Sequence, residues 1–164
     1  MKNLKTEIKW AILFSLVMIA WMVLEKSLGW HDEKIADHAK LTSFFAIPAI
    51  AVYVFALMDK KKNDLGGFMS YKQGLATGLW ITLFVAILSP LVQFIISQWI
   101  TPDYFANVIA YSVSTGELTQ EKAESYFNLK SYIIQSLIGA VLMGVITSLI
   151  VAFFVRSKSI LKPS

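Results

Sequence analysis

Long apolar runs alternate along this chain with short polar and charged segments. A hydrocarbon layer of about 30 Å asks for about 20 mostly apolar residues per helix, with a range of about 17–25. Four segments meet that length: 8–28, 41–58, 74–97 and 132–155. The first is built around the uncharged run WAILFSLVMIAWMVL, and the other three contain no charged residue. The pattern predicts an all-α integral membrane protein, with residues 1–164 forming one four-span transmembrane domain. Between the third and fourth spans, 98–131 carries a shorter amphipathic signal. Thr101 is a candidate N-cap there, with Pro102 at the first helical position and Asp103 in the first turn. Phe105, Val108, Ile109 and Val113 then share one face, as in a short helix lying on a membrane surface. Gly116 ends that helix. Thr119, with Glu121 behind it, starts another that is expected to run on into the fourth span.

Composition agrees with this picture. The chain is 56% hydrophobic and 16% charged, with a mean hydropathy of +0.60, whereas soluble domains carry about 25% charged residues. The absence of cysteine excludes disulfides, thiolate chemistry and Cys-based metal sites. A net charge of +4 could suggest nucleic acid, but the basic residues sit between apolar runs, so no nucleic-acid partner is expected. Their placement instead sets an orientation. Ten of the 15 Lys and Arg fall on one side: Lys2, Lys5, Lys9, Lys60, Lys61, Lys62, Lys72, Arg156, Lys158 and Lys162. The other side holds Lys26, Lys34, Lys40, Lys122 and Lys130, together with eight of the 11 carboxylates. The expectation is a multi-pass membrane protein with both termini on the cytoplasmic side. Trp10 and Tyr71 mark the inner interface, and Trp30, Trp99 and Tyr132 the outer one. The first span also resembles a signal peptide, with Ser27 and Gly29 as small residues at a cleavage site. Glu25 and Lys26 crowd that position, so retention is expected.

Small residues recur every fourth position in the last two spans: Gly74, Gly78, Thr82 and Ala86, then Ser136, Ala140, Gly144, Ser148 and Ala152. Such stripes let backbones approach in lipid, and packing of these two helices on each other is expected, with a homo-oligomer seam as the second reading. Pro90 removes one helical hydrogen bond and leaves the Ala86 carbonyl seeking a donor. Ser89, Gln93 and Ser97 share a face beside it, and Gln135 is expected at a similar depth. Glu25 is the most interesting ionisable residue, because the 15-residue apolar core before it spans only ~22 Å. The candidate polar site is therefore Glu25, Ser89, Gln93 and Gln135, with Glu25 expected at the outer boundary, paired with Lys26 or snorkelling.

Both histidines lie in WHDEKIADHAK. If that segment is helical, His31 and His38 sit ~10.5 Å apart along the axis, too far for one metal, which wants i, i+3 or i, i+4 ligands. Neither has a His, Asp or Glu at those offsets. In a loop the spacing decides nothing, and the expectation is a solvated turn, with no metal, cofactor or catalytic residue.

Taken together, WMVLEKSLGWHDEKI, FAIPAIAVYVFALMDKKKND, SYKQGLATG, ILSPLVQFIIS, ITPDYFANVI and QSLIGAVLMGVITSLIVAFF resemble a family of small bacterial four-span membrane proteins. This family is common in Bacteroidota and is catalogued as domain-of-unknown-function family 4199. The resemblance implies an inner-membrane location and carries over no catalytic residue. The leading expectation is a non-enzymatic protein acting through the lipid bilayer or protein contacts. The alternative is a small-solute transporter or channel subunit with an outer-facing polar cavity, and a membrane hydrolase with a loop-held metal stands third.

Overall fold

The computed structural model describes residues 4–157, all of whose regular structure is helical. Lys2, Lys158 and Lys162 of the charge argument lie outside the described residues. Among the described residues, four helices are long and apolar enough to cross a membrane: α1 (Lys5–Ser27), α2 (Ile35–Asp64), α3 (Tyr71–Ile100) and α6 (Leu129–Val155). Two short helices, α4 (Tyr104–Ser114) and α5 (Gln120–Tyr126), fill the long connection between α3 and α6. α2 opens with 3₁₀ turns at Ile35–Asp37 and Thr42–Phe45 and closes with a π turn at Lys60–Asp64.

Side-chain polarity is inverted relative to a soluble bundle. Thr77, Thr82, Ser89, Gln93 and Ser148 point inward, while Ile47, Phe55, Ile87, Leu91 and Phe154 are exposed. Water would penalise that apolar surface, and lipid does not. The most extensive helix contact joins α3 and α6, and it is built from the small-residue stripes. A Cβ added at Gly78 would lie 2.5 Å from Ser148 Oγ, one at Gly144 2.5 Å from Thr82, and one at Gly74 3.2 Å from the Ala152 Cβ. The hydroxyls at this contact satisfy local carbonyls: Thr82 donates to the Gly78 oxygen and Ser148 to the Gly144 oxygen. Ser136 and Ala140, further along the α6 stripe, face a groove instead.

Several local expectations change. The Ala86 carbonyl freed by Pro90 receives the Ser89 hydroxyl at 2.9 Å, so the helix repairs the defect internally. Thr101 does not cap α4. Its hydroxyl turns back to the Ile96 carbonyl, and α4 begins only at Tyr104. The helix started by Thr119 does not run into the fourth span either. It stops at Tyr126, and Asn128 caps a new helix by accepting from the Ser131 amide. At the lysine-rich end, Lys60 bridges buried Glu7 (3.0 Å) and Asp64 (2.8 Å), and Asp59 accepts from both Lys9 and Trp10. These pairs tie α1 to α2.

α3 starts at a capping box: the Gln73 amide donates to Ser70 Oγ (3.3 Å) and the Ser70 amide to Gln73 Oε1 (2.8 Å). Ser70→Ala is expected to lower stability by about 1 kcal/mol, read as a reduced thermal midpoint of the detergent-solubilised protein.

Candidate functional site

The end of α1 builds the site. Gly29, at φ +72°, occupies the left-handed position that ends a helix most easily when no Cβ is present. The Trp30 amide donates to the Glu25 carbonyl and the Gly29 amide to the Lys26 carbonyl, both at 3.0 Å, which is a Schellman closure. The chain therefore reverses directly after Glu25. The Lys34 amide then closes a turn onto the Gly29 carbonyl at 2.8 Å. This path carries His31 back over Glu25, and the 3₁₀ turn at Ile35–Asp37 delivers His38 to the same place.

Residues 30–40 do not form one continuous helix, so His31 and His38 are not held a helical repeat apart as expected. The two imidazole centroids lie 5.0 Å apart. Glu25 Oε2 is 3.0 Å from His31 Nε2 and 3.3 Å from His38 Nε2. Glu25 is fully buried and His31 is 3% exposed, so neither the snorkelling nor the Lys26 pairing expected for the carboxylate occurs. Trp21, one turn earlier on α1, donates its indole N–H to Glu25 Oε1, and the Thr42 hydroxyl also interacts with the carboxylate.

α4 closes the cluster from above. Asn107 donates to the His31 carbonyl at 3.0 Å, and the Tyr104 hydroxyl lies 3.3 Å from His38 Nδ1 and 3.1 Å from the Tyr132 hydroxyl. The Tyr104 ring also packs against both imidazoles, with centroids 5.2 and 5.1 Å away. Burial pushes the Tyr104 phenol above its ordinary pKa, so it stays protonated at neutral pH. It can accept from His38 Nδ1–H while donating to Tyr132. In that tautomer the His38 Nε2 lone pair faces Glu25; in the other, Tyr104 donates to Nδ1 and Nε2–H faces the carboxylate.

Two buried nitrogens among the described residues have no hydrogen-bond partner: His31 Nδ1 and His38 Nε2. His38 Nε2 is within ion-pair distance of Glu25 Oε2 yet makes no hydrogen bond of good geometry. A lone pair and a carboxylate oxygen at that separation repel unless a cation, a proton or a metal, lies between them. One donor atom from each of Glu25, His31 and His38 lies within 4.8 Å of the others. A tetrahedral site with bonds of about 2.0–2.1 Å places its ligands about 3.3 Å apart, so small side-chain rotations would complete three ligands. No other carboxylate among the described residues joins the cluster.

The remaining candidate residues are elsewhere. Ser89 and Gln93 are buried on α3, and Gln93 Nε2 donates to Ser97 Oγ at 3.0 Å. Both line a groove of about 500 Å³ that all four long helices contribute to. Gln135 is exposed on α6 and accepts from the Tyr126 hydroxyl, so it does not meet Gln93. Sequence reading named His31 and His38 but set them aside, and it did not single out Trp21 or Tyr104. Gly29, two residues before His31, was the available signal, because a glycine just past a helix end marks a reversal. Nothing in the local pattern points to Tyr104, which is 66 positions from His38.

The profile of a family described as "Protein of unknown function (DUF4199)" matches residues 9–157. Comparisons with curated proteins and with solved structures gave no match.

Proposed function

Because the chain belongs to the DUF4199 family of unknown function, its role has to be read from its own geometry, and we propose a bacterial inner-membrane protein that binds a divalent metal ion at Glu25, His31 and His38. On this reading both termini are cytoplasmic and the metal centre is on the outer side. Lys60, Lys61, Lys62 and Lys72 lie at the end of the bundle opposite Glu25, which supports that orientation. The observation that carries the metal reading is the convergence of one donor atom each from Glu25, His31 and His38 within 4.8 Å of one another around a fully buried carboxylate.

Two imidazoles and a carboxylate suit first-row divalent ions, zinc above all, and leave a fourth position open. Tyr104 on His38 Nδ1 and Trp21 on Glu25 Oε1 are outer partners that fix ligand orientation. Binding is favoured over hydrolysis, since the one carboxylate of the cluster is a ligand and no second one among the described residues belongs to it. Passage of a polar solute beside Gln93 has less support, because the Ser89 hydroxyl and one Gln93 N–H are already committed within α3.

The test is calorimetric titration of zinc into chelator-stripped protein in mild detergent, together with metal analysis of the protein as purified. About one zinc per chain is expected, and Tyr104→Phe should weaken binding about 10–100-fold. A folded protein that takes up neither zinc nor manganese, cobalt or nickel would overturn the proposal. The cluster would then be an imidazolium–carboxylate pair held by a proton.

A further inference from the structure

The groove between the helices has a clear anatomy. Its floor is formed by Val85, Ser89, Val92 and Gln93 of α3 and by Ser15 of α1, all buried. Its rims are on α2 and α6, where Ile50 and Met143 line it and are 47% and 58% exposed. It therefore opens sideways, between two helices that are each long and apolar enough to span a membrane. At about 500 Å³ it falls within the range of about 300–1,000 Å³ typical of ligand sites.

Most of the polar groups in its wall are already committed. Ser15 donates to the Ala11 carbonyl, Ser43 to Lys40, Ser89 to Ala86 and Ser136 to Ile133. Gln93 donates to Ser97, and the Tyr53 hydroxyl pairs with Thr82. Water in a cavity needs two to four free polar partners, and this wall offers few. A polar solute would meet the same deficit. A hydrocarbon chain needs none. On the α6 side of the groove, a Cβ built on Gly139 meets nothing within 4 Å, so this glycine leaves free volume where a side chain would have stood.

We infer that this groove is a binding site for one acyl chain of a membrane phospholipid, which enters sideways between α2 and α6 and lies along the α3 floor. The bilayer around the four spans supplies that chain. One end of the groove reaches Thr42, whose hydroxyl also interacts with Glu25, so the seated lipid borders the carboxylate–histidine cluster. The inference does not depend on that cluster binding metal.

The full chain is reconstituted into phosphatidylethanolamine–phosphatidylglycerol vesicles containing a trace of phospholipid with a diazirine on one acyl chain. The vesicles are irradiated and the adducts are mapped by peptide mass spectrometry. Adducts are expected on the floor residues Val85 and Val92 as well as on outward residues such as Ile87 and Phe154. Gly139→Leu, which fills the free volume with a better helix former, should lose the floor adducts and keep the outward ones. Its unchanged thermal midpoint would show that the fold survives, and Gly139→Ala should retain labelling on both. Floor labelling that persists in Gly139→Leu would overturn the inference. So would labelling confined to outward residues, with a second copy of the chain cross-linked across α2 and α6.

Discussion

Glu25→Gln is expected to abolish the zinc response of the folded protein. The amide keeps the size of the side chain and can still accept from the Trp21 indole, but it removes the charge that two imidazoles converge on. In the wild type, zinc at about 100 times its dissociation constant should stabilise the fold by about 2.7 kcal/mol. For a chain of this size that corresponds to a rise of about 5–10 °C in thermal midpoint, reversed by a chelator. Glu25→Gln and His38→Ala should show no such rise. His31→Ala should also be less stable without metal, by about 3–5 kcal/mol, because it leaves a fully buried carboxylate short of its closest imidazole. A Glu25→Gln protein that still gains stability with zinc would place the metal elsewhere.

The second large effect concerns the α3–α6 contact. Gly78→Ala adds a methyl group where Ser148 Oγ and Cβ already stand at 2.5 and 2.7 Å. The obstacle is close to the α6 backbone, whose Ser148 Cα is 3.2 Å away, so the helices must separate rather than a side chain swing aside. Overpacking of this kind costs about 1–3 kcal/mol, and Gly78→Leu should exceed that and yield unfolded or aggregated protein in detergent. Gly144→Ala faces Thr82 at 2.5 Å and should behave like Gly78→Ala. Gly139→Ala, which meets nothing, should be neutral or slightly stabilising. Equal thermal midpoints for all three alanine variants would show that the close approach is not what holds α3 to α6.

The Glu25 cluster shows where local reading stops. Spacing along a helix is informative only if the helix continues, and Gly29 ends it two residues before His31. Once the chain reverses, a sequence separation of six brings Glu25 and His31 into contact, and a separation of 13 brings Glu25 and His38 together. Tyr104 enters from another element altogether, placed by α4 folding back over the turn. By contrast, the orphaned Ala86 carbonyl was legible, because a proline removes a donor in any context. Its solution, the Ser89 hydroxyl, was three residues away, beside Pro90. Gln93 and Gln135 show the opposite case: both fall at a similar depth along their helices, yet one faces inward and the other outward.

The sequence alone determined the four membrane-length helices, the asymmetry of charge between their ends and the glycine–serine stripes. Each depends on composition within a single segment, because a segment's transfer into lipid and its backbone self-satisfaction are local properties. Only the tertiary structure decided which polar side chains meet. Helix rotation, the reversal at Gly29 and the docking of α4 set those encounters, and they arise from packing between segments distant in the chain. That is why EKSLGWHDEKIADHAK reads as a wet connecting turn in one dimension and closes into a buried carboxylate–histidine centre in three.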